Sequence, residues 1–221
     1  MSIQNFGNKF DLSKLIDARN LAKEIAYELK DQITPGMTEA HAHKLYKEIC
    51  LRHGITKQWH APKLRFGPNT LLNFGDVSAE YTLKENDIFF IDIGPVINEH
   101  EADFGETFYL GNNPEHKKIC ASQRSVFDEV RNHWLETHKT GLALYEYAKE
   151  VSQKHGFILN MDQDGHRIGD FPHQLFYKGS LKDCDESIIP NAWILEIHLW
   201  NPDRKFGAFF EDLLTDHSLT Y

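Results

Sequence analysis

Apolar positions in the first fifty residues recur with helical spacing. Leu15, Ala18, Ala22, Ile25 and Leu29 fall at intervals of three and four, which is the period of one buried helix face, and Thr34-Pro35-Gly36 stops that helix. Thr38 is placed to cap a second helix running through Leu45 and Ile49 to Gly54. His41 and His43, two apart, cannot share a helix face and read as surface residues. The period returns in Ile119, Val126, Val130 and Trp134, behind Asn113-Pro114, a capping residue followed by proline at the first helical position. A fourth helix from about Leu142 turns Leu144, Ala148 and Val151 inward and ends at Gly156.

Elsewhere the pattern is that of strands. Phe89 to Phe108, FFIDIGPVINEHEADFGETF, reads as a β-hairpin that carries Asp92 and Asp103 among apolar neighbours. A register that pairs the two aspartates directly closes inward through Pro95, Val96 and Glu99 onto a two-residue loop at Ile97-Asn98, and directly opposed residues share a face. Like charges so placed repel, or raise one pKa, unless a cation lies between them. The competing reading is a different register with one aspartate in a turn or at an edge. In NAWILEIHLW, Trp193, Leu195, Ile197 and Leu199 alternate with Ile194, Glu196, His198 and Trp200, and the returning FGAFFEDLL sets Glu211 beside Phe209 and Phe210. Pairing Glu196 with Glu211 closes through the Asn201 to Lys205 loop, whose proline and aspartate suit a turn. From Ile55 to Thr70, ITKQWHAPKLRFGPNT mixes aromatic, basic and turn residues and predicts a strand and loop flanking a pocket.

Two helices end alike, KEICLRHGI from Lys47 and KEVSQKHGF from Lys149, 102 residues apart. Basic last turns followed by glycine end many helices, but here a carboxylate hairpin follows each one. Each half, roughly 1–112 and 113–221, reads helix, helix, carboxylate hairpin. Packed face to face, the hairpins would bring four carboxylates to one point, tolerable only with about two divalent cations, because buried unpaired charge is expelled or neutralised.

Composition narrows the chemistry. A chain of 221 residues buries a full core, and one domain is expected because no Pro/Gly/Ser-rich linker interrupts it. The net charge of −9 argues against nucleic acid or an anionic membrane as the main partner and suits a site that gathers cations. No apolar run approaches the roughly 20 residues of a membrane span, and MSIQNFGNKF lacks the layout of a signal peptide, so a cytoplasmic protein is expected. Cys50, Cys120 and Cys184 form neither a disulfide framework nor a thiolate zinc motif, which leaves carboxylate and imidazole as ligands. GHRIGDFPH supplies His166 and His173, and mixed ligation of this kind suits manganese, iron, cobalt or zinc. A mononuclear iron triad would leave three acidic positions unexplained, and no GxSxG elbow, phosphate loop or dinucleotide fingerprint competes.

Asp92, Asp103 eleven residues later, Gly165-His166 followed by His173, then Glu196 and Glu211 resemble, in order and spacing, the five ligands and extra histidine of the pita-bread metallopeptidases. These are the methionine aminopeptidases, aminopeptidase P and prolidase. The resemblance covers essentially the whole chain, from the first helix and its PGMTE turn to Glu211. It implies a single catalytic domain over 1–221 with the α+β pita-bread fold, an antiparallel sheet covered by helices with an internal pseudo-two-fold repeat. It also implies that Asp92 chelates one metal, Asp103 and Glu211 bridge both, and His166 and Glu196 complete the other. The cofactors implied are two divalent ions, manganese first, with cobalt, iron and zinc as alternatives. Glu196 would take a proton from the bridging water, and His173 would stabilise the tetrahedral intermediate by hydrogen bonding.

Three departures from the family pattern bear on substrate. The histidine usual eighteen residues before the first aspartate is Phe74, which cannot donate to a scissile amide, so either activity is weaker, or another group such as His60 or His198 substitutes, or the substrate differs. The usual glycine after the first loop histidine is Arg167, suited to a substrate carboxylate or to an outward salt bridge. The usual acidic residue after the second is Gln174. Phe74, His60, Arg167 and His173 are therefore the expected substrate-binding residues. The small size resembles methionine aminopeptidase, whereas WH…RFGPNT and EADFGETF look closer to the Xaa-Pro branch. The expected activity is dinuclear-metal hydrolysis of an N-terminal peptide bond, as aminopeptidase or dipeptidase, on Xaa-Pro peptides. The alternatives are a methionine aminopeptidase-like activity, hydrolysis of a small non-peptide amide, and non-catalytic peptide binding. Retention of all five ligand types favours an enzyme, whose partner is a peptide or small amide and whose assembly is compatible with a homodimer.

Overall fold

Each of the four α-helices among the described residues begins where a side-chain oxygen meets its first free amides. The structure, a computed structural model, describes residues 2–173 and 177–216. Asp11 caps α1 (Leu12–Gln32), Thr38 caps α2 (Glu39–Arg52), Asn113 caps α3 (Pro114–Thr137) and Thr140 caps α4 (Gly141–Lys154), each accepting from an amide of the first turn. The shared endings of α2 and α4 are shared chain reversals, with Gly54 at φ 70° and Gly156 at φ 86°. All the apolar positions expected to face inward on α1, α3 and α4 are buried.

The strands are β1 (Lys63–Phe66), β2 (Ile88–Ile93), β3 (Val96–Ile97), β4 (His100–Glu101), β5 (Phe104–Tyr109), β6 (Ile158–Leu159), β7 (His166–Arg167), β8 (Trp193–Trp200) and β9 (Gly207–Leu213). All but β3 and β4 form one antiparallel sheet in the order β1-β2-β5-β9-β8-β6, with β7 also against β8. The two hairpins, one from each half, meet where β5 pairs with β9. Phe89, Ile91 and Ile93, then Trp193, Leu195, Ile197 and Leu199, then Ala208 and Phe210 pack with the buried faces of the helices into one core. Strand side chains alternate, so Asp92, Gly105, Glu211 and Glu196 lie on the opposite face.

The second hairpin has the expected register, with Glu196 opposite Glu211. The first does not. Asp92 faces Gly105, Val96 faces Glu101 and Ile97 faces His100, so the turn is Asn98-Glu99 rather than Ile97-Asn98. A two-residue hairpin turn of type I′ needs positive φ at both central positions, and Asn98 and Glu99 have φ 50° and 63°. β-branched Ile97 resists that conformation, whereas asparagine tolerates it. The shift is by two residues and preserves the face. Asp92 and Asp103 remain on one side of the sheet, though they are not directly opposed.

Arg19 of α1 ties the helix layer to the centre of the sheet. Its guanidinium is bidentate to the Asp212 carboxylate on β9, with both groups buried. Among the described residues no helix is long and apolar enough to cross a membrane. Replacing Asp212 by alanine strands the Arg19 charge in the core and is expected to remove about 3–5 kcal/mol of stability. Urea unfolding with an unchanged denaturant slope would measure this, and a loss under about 1 kcal/mol would show that the pair adds little to the fold.

Candidate metal centre

Asp92 on β2, Gly105 on β5, Glu211 on β9 and Glu196 on β8 form one row across four strands, each the register partner of the next. Gly105 makes this row possible. A Cβ there would lie 2.7 Å from Glu211 Oε1 and 2.5 Å from the Phe209 ring. Asp103, just before β5, adds a fourth carboxylate from the same side. Asp92, Asp103 and Glu211 are buried, and the Glu196 side chain is the most open of the four at 12%.

Two imidazoles reach into this group. His166 Nε2 lies 2.8 Å from Asp103 Oδ2 and 3.7 Å from Glu196 Oε1, while its Nδ1 is 2.7 Å from the carbonyl of Arg167. His60 Nε2 lies 3.3 Å from Asp103 Oδ1 and 3.5 Å from Asp92 Oδ1, and its Nδ1 is 3.0 Å from the carbonyl of Ala61. The His60 ring occupies space that a side chain at Gly94 would fill. The five residues expected to hold metal are thus brought together, and His60, expected only to contact substrate, stands among them.

Ionisation follows from burial and mutual charge. Burial pushes Asp92 up to about 6, the negative charge of Asp103 adding to the effect against the pull of His60. Burial likewise raises Glu196 to about 7, and it raises Glu211 well above the carboxylate range, with the other three carboxylates adding to the shift. Asp103 goes the other way, to about 2, because hydrogen bonds from His166 and His60 outweigh its burial. The same carboxylates overcome burial at His60 and His166 and raise both to about 9.

The donor set fits divalent cations. Glu211 Oε1 is buried with no hydrogen-bond partner, an orphaned carboxyl oxygen beside three other carboxylates. Asp103, His166 and Glu211 each offer a ligand atom within 4.8 Å of the others. Carboxylate with imidazole suits manganese, iron, cobalt and zinc.

The centre forms the floor of a cavity of about 560 Å³, with Trp59, His173 and Phe74 on its walls. Glu101 fixes His173, accepting from its backbone N–H at 3.0 Å and pairing with ring Nδ1. This leaves Nε2 for a ligand. The Trp59 indole donates to the Ala102 carbonyl at 2.9 Å and stands edge-on to His173, with ring centres 5.2 Å apart. Trp59 and Glu101 belong to no site motif in the sequence; the two-residue alternation that places Glu101 and Asp103 on one side is the available signal. The Tyr145 hydroxyl donates to the Glu196 carbonyl at 3.0 Å and accepts from its amide at 3.2 Å, holding the β8 backbone at Glu196. Phe74 lies at the mouth, 44% exposed, with the Lys63 ammonium 4.3 Å from its ring centre.

Two substrate candidates lie elsewhere. Arg167 neither faces the cavity nor makes an outward salt bridge. Its guanidinium is buried, donates to the carbonyls of Ala192 and Asn5, and lies over the rings of Phe6 and Trp193. Adjacent strand residues point to opposite faces, so His166 facing the carboxylates sends Arg167 away from them. His198 is buried against Asn160 and the Thr70 carbonyl, and burial lowers its pKa to about 4. It does not replace the donor missing at Phe74. Gln174 lies outside the described residues.

The sequence model of metallopeptidase family M24 matches residues 13–215. Over 174 residues the chain is 26% identical to a methionine aminopeptidase of Clostridium perfringens, covering 76% of this chain and 68% of that protein. Among solved structures it is similar to an X-Pro aminopeptidase from Thermotoga maritima, with TM-score 0.73, 20% identity and coverage of 96% of this chain and 64% of that one. A methionine aminopeptidase from Thermotoga maritima gives TM-score 0.73, 17% identity and 94% coverage of both chains. The architecture is the α+β pita-bread fold that the family resemblance implies. The chain spans less than two thirds of the X-Pro aminopeptidase and nearly all of the methionine aminopeptidase structure.

Because folding raises His60 and His166 to about 9, the metal-free folded protein holds more protons than the unfolded chain above the ordinary histidine pKa of about 6.5. Their contribution to stability is complete below that value and lost as pH rises through about 9, with Glu196 acting in the same direction up to about 7. Thermal unfolding in chelator is therefore expected to shift to lower temperature from pH 7 to pH 9. A divalent ion, whose binding displaces those protons, is expected to reverse the slope. An upward shift in chelator would contradict this charge balance.

Proposed function

The chain belongs to metallopeptidase family M24, and from that premise we propose that it is a cytoplasmic two-metal aminopeptidase or dipeptidase that hydrolyses the N-terminal bond of short peptides, Xaa-Pro peptides above all. The observation that carries this reading is the buried row of Asp92, Glu211 and Glu196, joined by Asp103 and His166. These five residues would hold two divalent ions, manganese first among the compatible metals. Bound there, such ions supply Lewis acidity, bringing the pKa of water towards 7 and stabilising negative charge that develops on oxygen.

The remaining steps fall to side chains. Glu196, the most open of the carboxylates and a wall of the cavity, takes the proton of the attacking water and returns it to the leaving amine. His173, oriented by Glu101, presents Nε2 to the developing oxyanion. The aromatic faces of Trp59 and Phe74 give the cavity an apolar wall suited to a pyrrolidine ring. Lys178, which also lines the cavity, supplies a cation for the free carboxylate of a dipeptide.

Xaa-Pro, Met-Ala-type and plain dipeptides assayed with manganese and with chelator test the reading. Chelator-sensitive cleavage, fastest on Xaa-Pro, is expected; a rate indifferent to chelator would sink the metal role, and preference for Met-Ala would move the substrate class. Glu196→Gln is expected to lower turnover by roughly 10²–10⁴-fold with metal still bound. Phe74→His is expected to raise kcat/KM on peptides by about tenfold or more by restoring an amide donor. An unchanged rate would show that the donor is already supplied by another group.

A further inference from the structure

We propose that His60 is a sixth protein ligand of the centre, the first-half counterpart of His166, so that each of the two ions carries one imidazole. This rests on the two-metal reading above, because it assigns a residue to one of those ions.

The spacing of donor atoms is the first argument. Two atoms each 2.0–2.2 Å from one tetrahedrally surrounded ion lie roughly 3.3–3.6 Å apart. His60 Nε2 is 3.3 Å from Asp103 Oδ1 and 3.5 Å from Asp92 Oδ1. The three residues place one ligand atom each within 4.8 Å of the others, as Asp103, His166 and Glu211 do. Asp103 belongs to both groups and turns Oδ1 to one imidazole and Oδ2 to the other.

The surroundings of the ring are the second. A ligating histidine is ordinarily oriented by a hydrogen bond from its other nitrogen. His60 Nδ1 is 3.0 Å from the carbonyl of the next residue, Ala61, and His166 Nδ1 is 2.7 Å from the carbonyl of its own next residue, Arg167. The positions in the sheet also correspond. His60 lies just before β1, the outer neighbour of the strand bearing Asp92, and His166 begins β7, an outer neighbour of the strand bearing Glu196. The ring is clamped between Trp59, 4.4 Å away, and Gly94, with the side chain only 8% exposed. A contact to substrate calls for a nitrogen aimed at open cavity, and this one is aimed at two carboxylates.

The assignment changes which metals the two positions prefer. With carboxylates alone, the position at Asp92 is an all-oxygen site that suits hard ions such as manganese or magnesium. With His60 it gains a nitrogen donor and becomes a mixed site like its neighbour, so cobalt should occupy both with similar affinity.

Cobalt(II) titration of the metal-free protein, followed by calorimetry and by proton NMR of the loaded form, tests this. Each coordinated imidazole contributes one strongly shifted, exchangeable ring N–H resonance. Two are expected in the wild type. His60→Gln should lose one of them and weaken one of the two cobalt sites by more than about tenfold, with a smaller effect on manganese at that site. The surviving His166 resonance reports that the variant is folded. Two bound cobalt ions with a single shifted N–H in the wild type would overturn the assignment, as would unchanged affinity at both sites in His60→Gln. A wild type that binds no cobalt would overturn the two-metal reading itself, and this assignment with it.

Discussion

Mutual repulsion among Asp92, Asp103, Glu196 and Glu211 is the constraint to which the rest of the molecule answers. Register alone sets three of them in line across the middle of a sheet, where burial by itself penalises each negative charge. The response is asymmetric. The helices pack mainly on the apolar face, with the start of α1 also reaching Ile194 and Leu213, while the charged face opens onto a cavity and receives His60 and His166, one from each half. Asp103, bonded by both rings, is the carboxylate that stays ionised most readily, and Glu211, bonded by neither ring, is the one that burial holds most strongly in its neutral form.

Much of this was legible in the chain. Helix faces followed from period and caps from residue type. The Glu196–Glu211 pairing followed because a polar loop between two alternating runs leaves few registers. The first hairpin was harder. Its face was readable from parity, but its register depended on which two residues accept positive φ, a property of Asn98 and Glu99 that an alternation pattern does not contain. Arg167 is hard to place for a similar reason: in a strand only two residues long, no pattern tells which of two neighbours faces the carboxylates. Trp59, Glu101 and the inward aim of His60 depend on contacts between segments more than forty residues apart, or on close packing against a glycine, and neither leaves a local pattern.

Several contacts away from the cavity bear on its geometry. The Arg19–Asp212 pair anchors β9 one residue from Glu211, and the Tyr145 hydroxyl grips the backbone of Glu196 through two hydrogen bonds. The strands that carry Glu211 and Glu196 are thus each held by a helix, α1 and α4. Ligand placement of the kind that catalysis requires depends on such supports, since small displacements at a reacting centre are costly.

Gly105 carries a consequence for how sequences of this fold can drift. A carboxylate ligand can exchange aspartate for glutamate and keep its charge, and a wall residue such as Phe74 can vary with the substrate. Position 105 has no such latitude, because one added methyl group would occupy the space of the Glu211 carboxylate and the Phe209 ring. The seam between the halves closes around four carboxyl groups with a central residue that contributes no side chain. Loss of that smallness would displace the Glu211 carboxyl and the Phe209 ring while every other residue of the row stayed the same.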